Sequence, residues 1–290
     1  MKTHKTEEIN MKYTDLESFL NAYIEIQKAC CKLSTIKNMR AAANLLLAFF
    51  GNKKDISEIT LIDGENFAQH LKSKGYAPAT ISRAMQRTIA FFKFAQKSKV
   101  LVDNPFSGIK LMKQTYPARI QFIDQATFLK VLDHCPNTQW KLIVSLARVS
   151  GLRIPSELVG LTWECIHWDK NTMTVPSPKT EHIKGREFRE VPLFPEIKSL
   201  LHDAFKNAPK NEKKIFPTVL TLANLKRGLT RIIENAGVPV WENLFHNLRA
   251  SRASELFKDY PLNIVKSWLG IDLNQRIISM FNLNQNNGDK

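Results

Sequence analysis

The segment SGLRIPSELVGL, residues 150–161, places two charged side chains inside a run that is otherwise suited to burial. Arg153 follows Gly151 closely, and Pro155 lies two residues beyond it. A buried guanidinium is unfavourable unless a carboxylate or another anion accepts its hydrogen bonds. A chain with this segment must therefore fold so that Arg153 meets either an internal acidic partner or an external anion.

Apolar residues recur at intervals of three and four along most of the chain, which is typical of helices that pack against a core. Before residue 103 this spacing predicts four helices, over residues 16–29, 34–51, 60–75 and 77–100. Residues 103–119 contain two prolines and a glycine and lack the spacing, so we predict a linker there. A chain of 290 residues is also long enough for two compact units.

Helical spacing returns after the linker and is interrupted once. Helices are predicted over residues 124–135, 140–151, 156–166, 196–207, 222–237, 245–257 and 263–270. The segments TMTVPS (172–177) and REVPLF (189–194) instead alternate or contain β-branched residues, which indicates two strands joined by a polar loop. The sequence thus predicts a mainly α protein with a small β-hairpin in its second half.

The fourth predicted helix carries a basic face. Four basic residues fall within an arc of about 120° on a helical wheel; they are Arg83, Arg87, Lys93 and Lys97. No acidic residue lies between Glu65 and Asp103. Like charges one turn apart repel, so a face of one sign is tolerated best against an anionic partner. A merely solvated face is the alternative.

The charge of the whole chain also indicates an anionic partner. It has 42 Lys and Arg against 27 Asp and Glu, a formal net charge of +15, and the excess is divided between both halves. A basic balance of this size is typical of proteins that bind a polyanion such as nucleic acid.

Several other classes of protein are not favoured. The four cysteines, Cys30, Cys31, Cys135 and Cys165, show neither metal-ligand spacing nor a disulfide framework, and no two of the seven histidines are spaced as zinc ligands. No apolar stretch approaches the roughly 20 residues of a membrane span. The first ten residues lack the apolar block of a secretory signal, so we expect a cytoplasmic protein without a structural metal.

Three separated segments present basic residues where packing would favour apolar ones. Arg153 is in the first, and Lys179 stands where the first predicted strand ends. His246 and Arg249 are three residues apart, so a helix places both on one face. Two guanidiniums, an ammonium and an imidazole can surround one tetrahedral anion, because arginine offers paired donors to phosphate oxygens. No carboxylate cluster accompanies them, so hydrolysis through bound magnesium is not expected.

These segments resemble those of the tyrosine recombinases, the phage integrase family. SGLRIPSELVGLTW resembles the family's first-arginine motif, VPSPKTEHIKGREFREVPLFPEI its β-hairpin with the lysine, FHNLRASRASELF its H-x-x-R motif and VKSWLGI the segment that follows. PATISRAMQRTIAFFKFA resembles its helical core-binding domain. The resemblance implies a SAM-like, DNA-binding core-binding domain over residues 12–103. It also implies an α-rich catalytic domain with a small β-hairpin or three-stranded sheet over residues 119–290.

The resemblance further implies a reaction on double-stranded DNA that needs neither metal nor cofactor. A tyrosine hydroxyl attacks a phosphodiester and forms a 3′-phosphotyrosine, which the 5′-hydroxyl of a second strand then displaces. By position, Arg153 and Arg249 would hold the non-bridging oxygens and Lys179 would protonate the departing 5′ oxygen. His246 would hydrogen-bond the phosphate or shuttle a proton, and Glu157 would orient Arg153 from behind.

The chain departs from the family at its last two positions. Where the family usually has histidine after WLG, this chain has Ile271, which donates no hydrogen bond. About nine residues later, where the family has its tyrosine, the chain has Met280 followed by Phe281. The tyrosines of the chain are Tyr13, Tyr23, Tyr76, Tyr116 and Tyr260, and none comes later.

Three explanations of this departure remain open. The protein binds DNA without cleaving it; or Phe281 replaces the tyrosine with a shift of one residue; or another hydroxyl, that of Ser279 or Tyr260, is the nucleophile. The third is the weakest, because a serine needs a base to activate it and Tyr260 precedes the expected position by a whole segment. The chain ends in a short polar tail, where relatives often carry a further helix. A truncation or frameshift at the end of the gene is therefore a further possible cause of the departure.

Two functions therefore compete. The first is a site-specific DNA recombinase, which like its relatives would act as a homo-tetramer on paired sites. The second is a cleavage-deficient, DNA-binding homologue. A helical transcription factor unrelated to recombination is a weaker third hypothesis, because a regulator has no need of the lysine in the hairpin.

Overall fold

The computed structural model describes residues 15–110, 121–218 and 221–271. The chain divides into two compact units, residues 1–115 and 116–290, and each unit has its own hydrophobic core. Helices dominate both units, so the prediction of a mainly α fold is confirmed. None of the helices in these ranges combines the length and the apolar character needed to cross a membrane.

Within residues 15–110 the structure contains the four helices that the apolar spacing predicts, with a 3-10 helix at Ile56–Glu58: α1 (Leu16–Lys28), α2 (Leu33–Phe50), α3 (Leu61–Ser73) and α4 (Pro78–Lys97). Helix α1 begins where the Asp15 side chain accepts a hydrogen bond from the backbone N–H of Ser18. Helix α3 begins with a capping box between Thr60 and Asp63, and α4 begins with Pro78. These caps satisfy the backbone donors that a helix leaves free at its first turn.

The second unit contains six described helices: α5 (Gln125–Asp133), α6 (Thr138–Arg148), α7 (Pro195–Lys206), α8 (Leu222–Asn235), α9 (Leu244–Asp259) and α10 (Leu262–Leu269). Its antiparallel sheet has the order β1 (Ile166–His167), β2 (Thr172–Pro176) and β3 (Phe188–Pro192). Met173 of β2 lies opposite Ile166 on one side and Val191 on the other, and all three are buried. The predicted hairpin and three-stranded sheet are therefore present.

The prediction of a helix over residues 156–166 is wrong. This segment forms turns, a 3-10 helix at Trp163–Cys165 and strand β1. The Leu161 carbonyl accepts a hydrogen bond from Ile215 N–H at 3.1 Å, and Trp163 N–H donates to the Lys213 carbonyl at 2.9 Å. Residues 161–163 thus pair with a distant segment, which local spacing does not reveal, and the backbone on either side forms short turns.

A fully buried arginine connects α6 to α9. Arg148 donates to both carboxylate oxygens of Glu255 and to the Ile123 carbonyl. The backbone N–H of Ile123 in turn donates to the Ser251 hydroxyl at 2.7 Å. These bonds hold the beginning of the second unit against α9, the helix that carries two of the predicted site residues.

Candidate active site

Arg153 and Glu157 form the first part of the site. The Glu157 carboxylate accepts a bond from the Arg153 backbone N–H at 2.7 Å and another from its Nη1 at 2.6 Å. Glu157 is only 1% exposed, whereas the Arg153 side chain keeps 24% of its surface exposed. The carboxylate thus holds the guanidinium from its buried side and leaves another side open to solvent.

A tight turn brings this segment against α9 and α10. Gly151 has a φ of +64°, a conformation in which glycine is favoured. A Cβ atom there would lie 2.5 Å from a methyl group of Leu269 and 4.0 Å from the Cγ of Arg249. The glycine before the arginine is therefore required by both backbone conformation and space.

Arg249 comes to the same place from α9. It is 8% exposed, and its guanidinium donates to the carbonyls of Gly151 and Leu269. His246 stands one turn earlier on α9, and its side chain reaches solvent. Loss of hydration lowers the pKa of His246, and the positive charge of Arg249 lowers it further. The neutral imidazole is therefore favoured at neutral pH.

Arg189, which our sequence interpretation did not single out, completes the arginine cluster. It lies on β3, is 7% exposed, and donates from Nη2 to Glu157 at 2.9 Å and from Nε to the Trp268 carbonyl at 2.6 Å. The buried positions of β3 are Arg189 and Val191. A charged residue at an inward position of an alternating strand was the available signal.

The cluster of Arg153, Arg189 and Arg249 is strongly electropositive. In the part of the chain that the structure describes, Glu157 pairs with Arg153 and Arg189, and Arg249 donates to backbone carbonyls instead of a carboxylate. Burial, followed by the charges of Arg153 and Arg189, lowers the pKa of Arg249 to about 9, while Glu157 opposes the shift. Burial also lowers the pKa of Arg189, with a smaller contribution from Arg153. An anion bound here would supply the missing negative charge.

Lys179 is not brought into contact with the arginines. It lies in the turn that follows β2, and its side chain is exposed. It forms no hydrogen bond or ion pair with the residues described here. Its ammonium group is therefore free to move toward a ligand at the cluster or away from it.

Ile271 contributes an apolar side chain rather than a hydrogen-bond donor. It is half-buried and packs against the small cluster formed by Ala253, Leu256, Val265 and Leu269. Its backbone N–H donates to the Lys266 carbonyl at 3.3 Å. Met280, Phe281 and Ser279 lie outside the described residues.

The basic face predicted on α4 lies at the surface of the first unit. Arg83, Lys93 and Lys97 are exposed and Arg87 is half-buried. The opposite face of α4 is buried through Ile81, Met85, Phe91, Phe92 and Ala95. Within residues 15–110 none of the four basic side chains forms an ion pair with an acidic group.

Comparison with known protein families defines the class of the chain. Residues 121–272 match the model of the phage integrase family, and residues 15–114 match that of the phage integrase SAM-like domain. The first match alone spans more than half of the chain. The protein therefore belongs to the phage integrase family of tyrosine recombinases.

Individual relatives are more distant. The chain is 24% identical to a XerC-like tyrosine recombinase of Caldanaerobacter subterraneus subsp. tengcongensis over 74% of this chain and 65% of that protein. It is 24% identical to the ICEBs1 integrase of Bacillus subtilis (strain 168) over 55% and 48% of the two chains. It is 27% identical over 57% and 40% to the protein IntQ of Escherichia coli (strain K12), which carries the word "defective" in its name. The chain thus matches less than two thirds of the length of each.

Two solved structures share the fold. A lambda integrase dimer bound to a COC′ core site matches with a TM-score of 0.75 at 17% identity, over 100% of this chain and 83% of that one. The Tn1549 transposon integrase in complex with circular intermediate DNA matches with a TM-score of 0.72 at 17% identity, over 93% and 95%. These likenesses establish the architecture.

Proposed function

We propose that the chain binds double-stranded DNA and holds one backbone phosphodiester at Arg153 and Arg249. The observation that carries this proposal is the arginine cluster, in which the guanidiniums of Arg153 and Arg189 share the single carboxylate of Glu157 and that of Arg249 lies close enough to be repelled by both. Such an excess of buried positive charge is unfavourable alone and becomes favourable when a phosphate binds. In this proposal residues 119–290 form the catalytic domain and residues 12–103 a core-binding domain.

If the chain supplies a nucleophile, the reaction that fits this site is a metal-free transesterification that would recombine specific DNA sites. A hydroxyl of the chain attacks phosphorus, the bond to the 5′ oxygen breaks, and the 3′ phosphate remains on the protein as a phosphotyrosine. Arg153 and Arg249 stabilise the charge that builds on the non-bridging oxygens. Lys179, on its exposed turn, gives a proton to the departing 5′ oxygen. His246, with a lowered pKa, is suited to hydrogen-bond the phosphate or accept a proton.

A cleavage-deficient DNA-binding homologue is the second candidate. Ile271 packs in an apolar cluster and offers no donor to the phosphate, and Met280 and Phe281 carry no nucleophilic group. The similarity to IntQ, a relative with the word "defective" in its name, agrees with a cleavage-deficient protein. Both candidates share the phosphate site and differ only in the nucleophile.

The proposed partners follow from the same relatives. Lambda integrase is known as a dimer on a core site and as a tetramer on a Holliday junction. We infer that this chain also assembles as a homo-oligomer, up to a tetramer, when it binds paired sites. Because its partner is DNA, the cytoplasm is the proposed location.

The decisive experiment uses duplexes selected for binding from a random pool, each then nicked near its centre to trap a covalent complex. We expect the chain to bind these duplexes without forming an adduct that survives denaturing electrophoresis. Met280→Tyr or Phe281→Tyr should then form the adduct, which would support the cleavage-deficient form. An adduct with the unchanged chain would favour the active recombinase, and failure to bind any duplex would contradict the proposal.

The basic face of α4 gives a second prediction. Replacing Arg83 and Arg87 together with alanine should weaken DNA binding and reduce the slope of log affinity against log salt by about one per lost phosphate contact. Lys28→Ala with Arg40→Ala is a matched control, because both residues lie near Glu25. An unchanged slope in the Arg83 and Arg87 variant would mean that this face is only solvated.

A further inference from the structure

We propose that Arg189 is a positioning residue of the phosphate site, which aims the guanidinium of Arg153 and fixes the end of α10. This inference rests on the proposed function, since it assigns a role within the same site. Arg189 acts through two groups that it binds, the carboxylate of Glu157 and the carbonyl of Trp268.

The first contact determines where Glu157 points. One oxygen, Oε2, accepts bonds from the Arg153 backbone N–H and from Arg189 Nη2, and the other, Oε1, lies 2.6 Å from Arg153 Nη1 and 2.9 Å from Arg189 Nη1. The carboxylate is therefore clamped from both sides. Without Arg189, Glu157 could turn with Arg153, and the guanidinium would lose its fixed direction.

The second contact is part of a set at the end of α10. The three consecutive carbonyls of residues 268–270 each accept a bond from a different arginine: Trp268 from Arg189, Leu269 from Arg249 and Gly270 from Arg153. Cations are favoured at the carboxyl end of a helix. The guanidiniums that would hold the phosphate therefore also fix the carboxyl end of α10.

The packing around Gly270 also supports the proposed role of Arg189. Its φ is +58°, and a Cβ atom there would lie 3.0 Å from the Cδ of Arg189 and 3.5 Å from Nη1 of Arg153. The end of α10 thus packs directly on both side chains. Arg189 joins β3 to α10 at the point where the two proposed phosphate ligands meet.

Charge and position can be separated because Arg189 and Glu157 carry opposite charges. Arg189→Met removes one positive charge from the cluster and one clamp from Glu157. The double variant Arg189→Met/Glu157→Gln restores the original net charge but not the clamp. If only net charge mattered, the double variant would bind an anion as well as the unchanged chain does.

The probe is sulfate, a tetrahedral dianion whose charge is constant above neutral pH, titrated calorimetrically at constant ionic strength. We expect Arg189→Met to weaken sulfate binding about tenfold or more, because charge-assisted hydrogen bonds contribute on that scale. The double variant and Arg189→Lys should also stay weak, since a lysine cannot bind Glu157 and Trp268 in the same planar geometry. Arg252→Met is the matched control: Arg252 lies on α9, stacks on Phe194 and pairs with Glu255, outside the site.

The pH dependence adds a readout that a structural defect alone would not change. Arg249 faces Arg153, Arg189, Glu157 and, on its own helix, His246. Sulfate binding by the unchanged chain should fall as pH rises through about 9, where Arg249 loses its proton. In Arg189→Met one repelling charge is absent, so the fall should move to higher pH.

The outcomes distinguish this inference from the proposed function. If the unchanged chain binds neither sulfate nor DNA, the proposed function fails. Suppose instead that it binds both. The positioning role of Arg189 is then wrong if the double variant or Arg189→Lys binds sulfate as well as the unchanged chain does, and if the loss of sulfate binding at alkaline pH is not shifted in Arg189→Met. Should Arg189→Met not fold, Arg189→Lys and the double variant, which keep the charge balance, decide the question.

Discussion

Glu157→Gln should lower the free energy of unfolding by about 3 to 5 kcal/mol, the usual effect of removing one partner from a buried ion pair. Glu157 is almost fully buried and is paired with both Arg153 and Arg189. The amide that replaces it carries no charge, so the guanidiniums of Arg153 and Arg189 would be left without their carboxylate. The change would be measured by urea unfolding of the whole chain at neutral pH.

Glu164→Gln is the matched control. Glu164 is exposed, and surface substitutions of this kind usually change stability by less than about 0.5 kcal/mol. Sulfate should recover more stability in Glu157→Gln than in the unchanged chain, because a bound anion replaces the lost charge. Equal stability of the two glutamate variants would show that the arginines do not depend on Glu157.

The parts of the fold that depend on local pattern could be predicted from the sequence. The helices that bury one apolar face and the alternating strands of the hairpin were found in this way. Residues 156–166 were wrongly predicted as a helix, because residues 161–163 pair with residues 213–215 and the remaining backbone forms short turns. Spacing of leucines cannot distinguish a helix from buried turns when the partner segment is distant in sequence.

The candidate site, like the fold, could be predicted only where it depends on local sequence pattern. The pairing of Arg153 with Glu157 is local, and four residues of separation made it visible. Arg189 was not predicted, because the interpretation relied on the polar motifs. It did not consider a charged residue at an inward strand position. The bonds from the arginines to residues 268–270 depend on the packing of β3, α9 and α10, which no local pattern contains.

These carbonyl bonds also bear on the proposed cleavage-deficient form. Arg153, Arg189 and Arg249 hold the end of α10 as well as the proposed phosphate position. Their bonds to the carbonyls of residues 268–270 stabilise the end of α10 whether or not the protein cleaves DNA. The presence of these arginines in a chain whose sequence has Ile271 and Phe281 therefore agrees with the proposed homologue that keeps the architecture and DNA binding without cleavage.

The second large effect is expected from Arg153→Ala and concerns the rate of adduct formation. The substitution is made in the protein that forms the covalent adduct, which is either the chain itself or a variant with tyrosine at residue 280 or 281. Adduct formation should slow by about 100- to 1000-fold, the typical effect of removing one group that stabilises developing negative charge. DNA affinity should change little, because the other proposed phosphate contacts, such as those of the basic face of α4, remain. Arg189 still pairs with Glu157 in this variant, so the carboxylate keeps a partner and the chain should fold.

A modified substrate separates Arg153 from Lys179. If the 5′ oxygen at the cleaved bond is replaced by sulfur, the leaving group is a weak base that needs no protonation. Lys179→Ala should then cleave the modified DNA nearly as well as the parent protein does, because the proposed role of the lysine is no longer required. Arg153→Ala should remain slow on the same DNA, since charge still builds on the non-bridging oxygens. Rescue of both variants would remove Arg153 from transition-state stabilisation, and rescue of neither would remove Lys179 from the role of general acid.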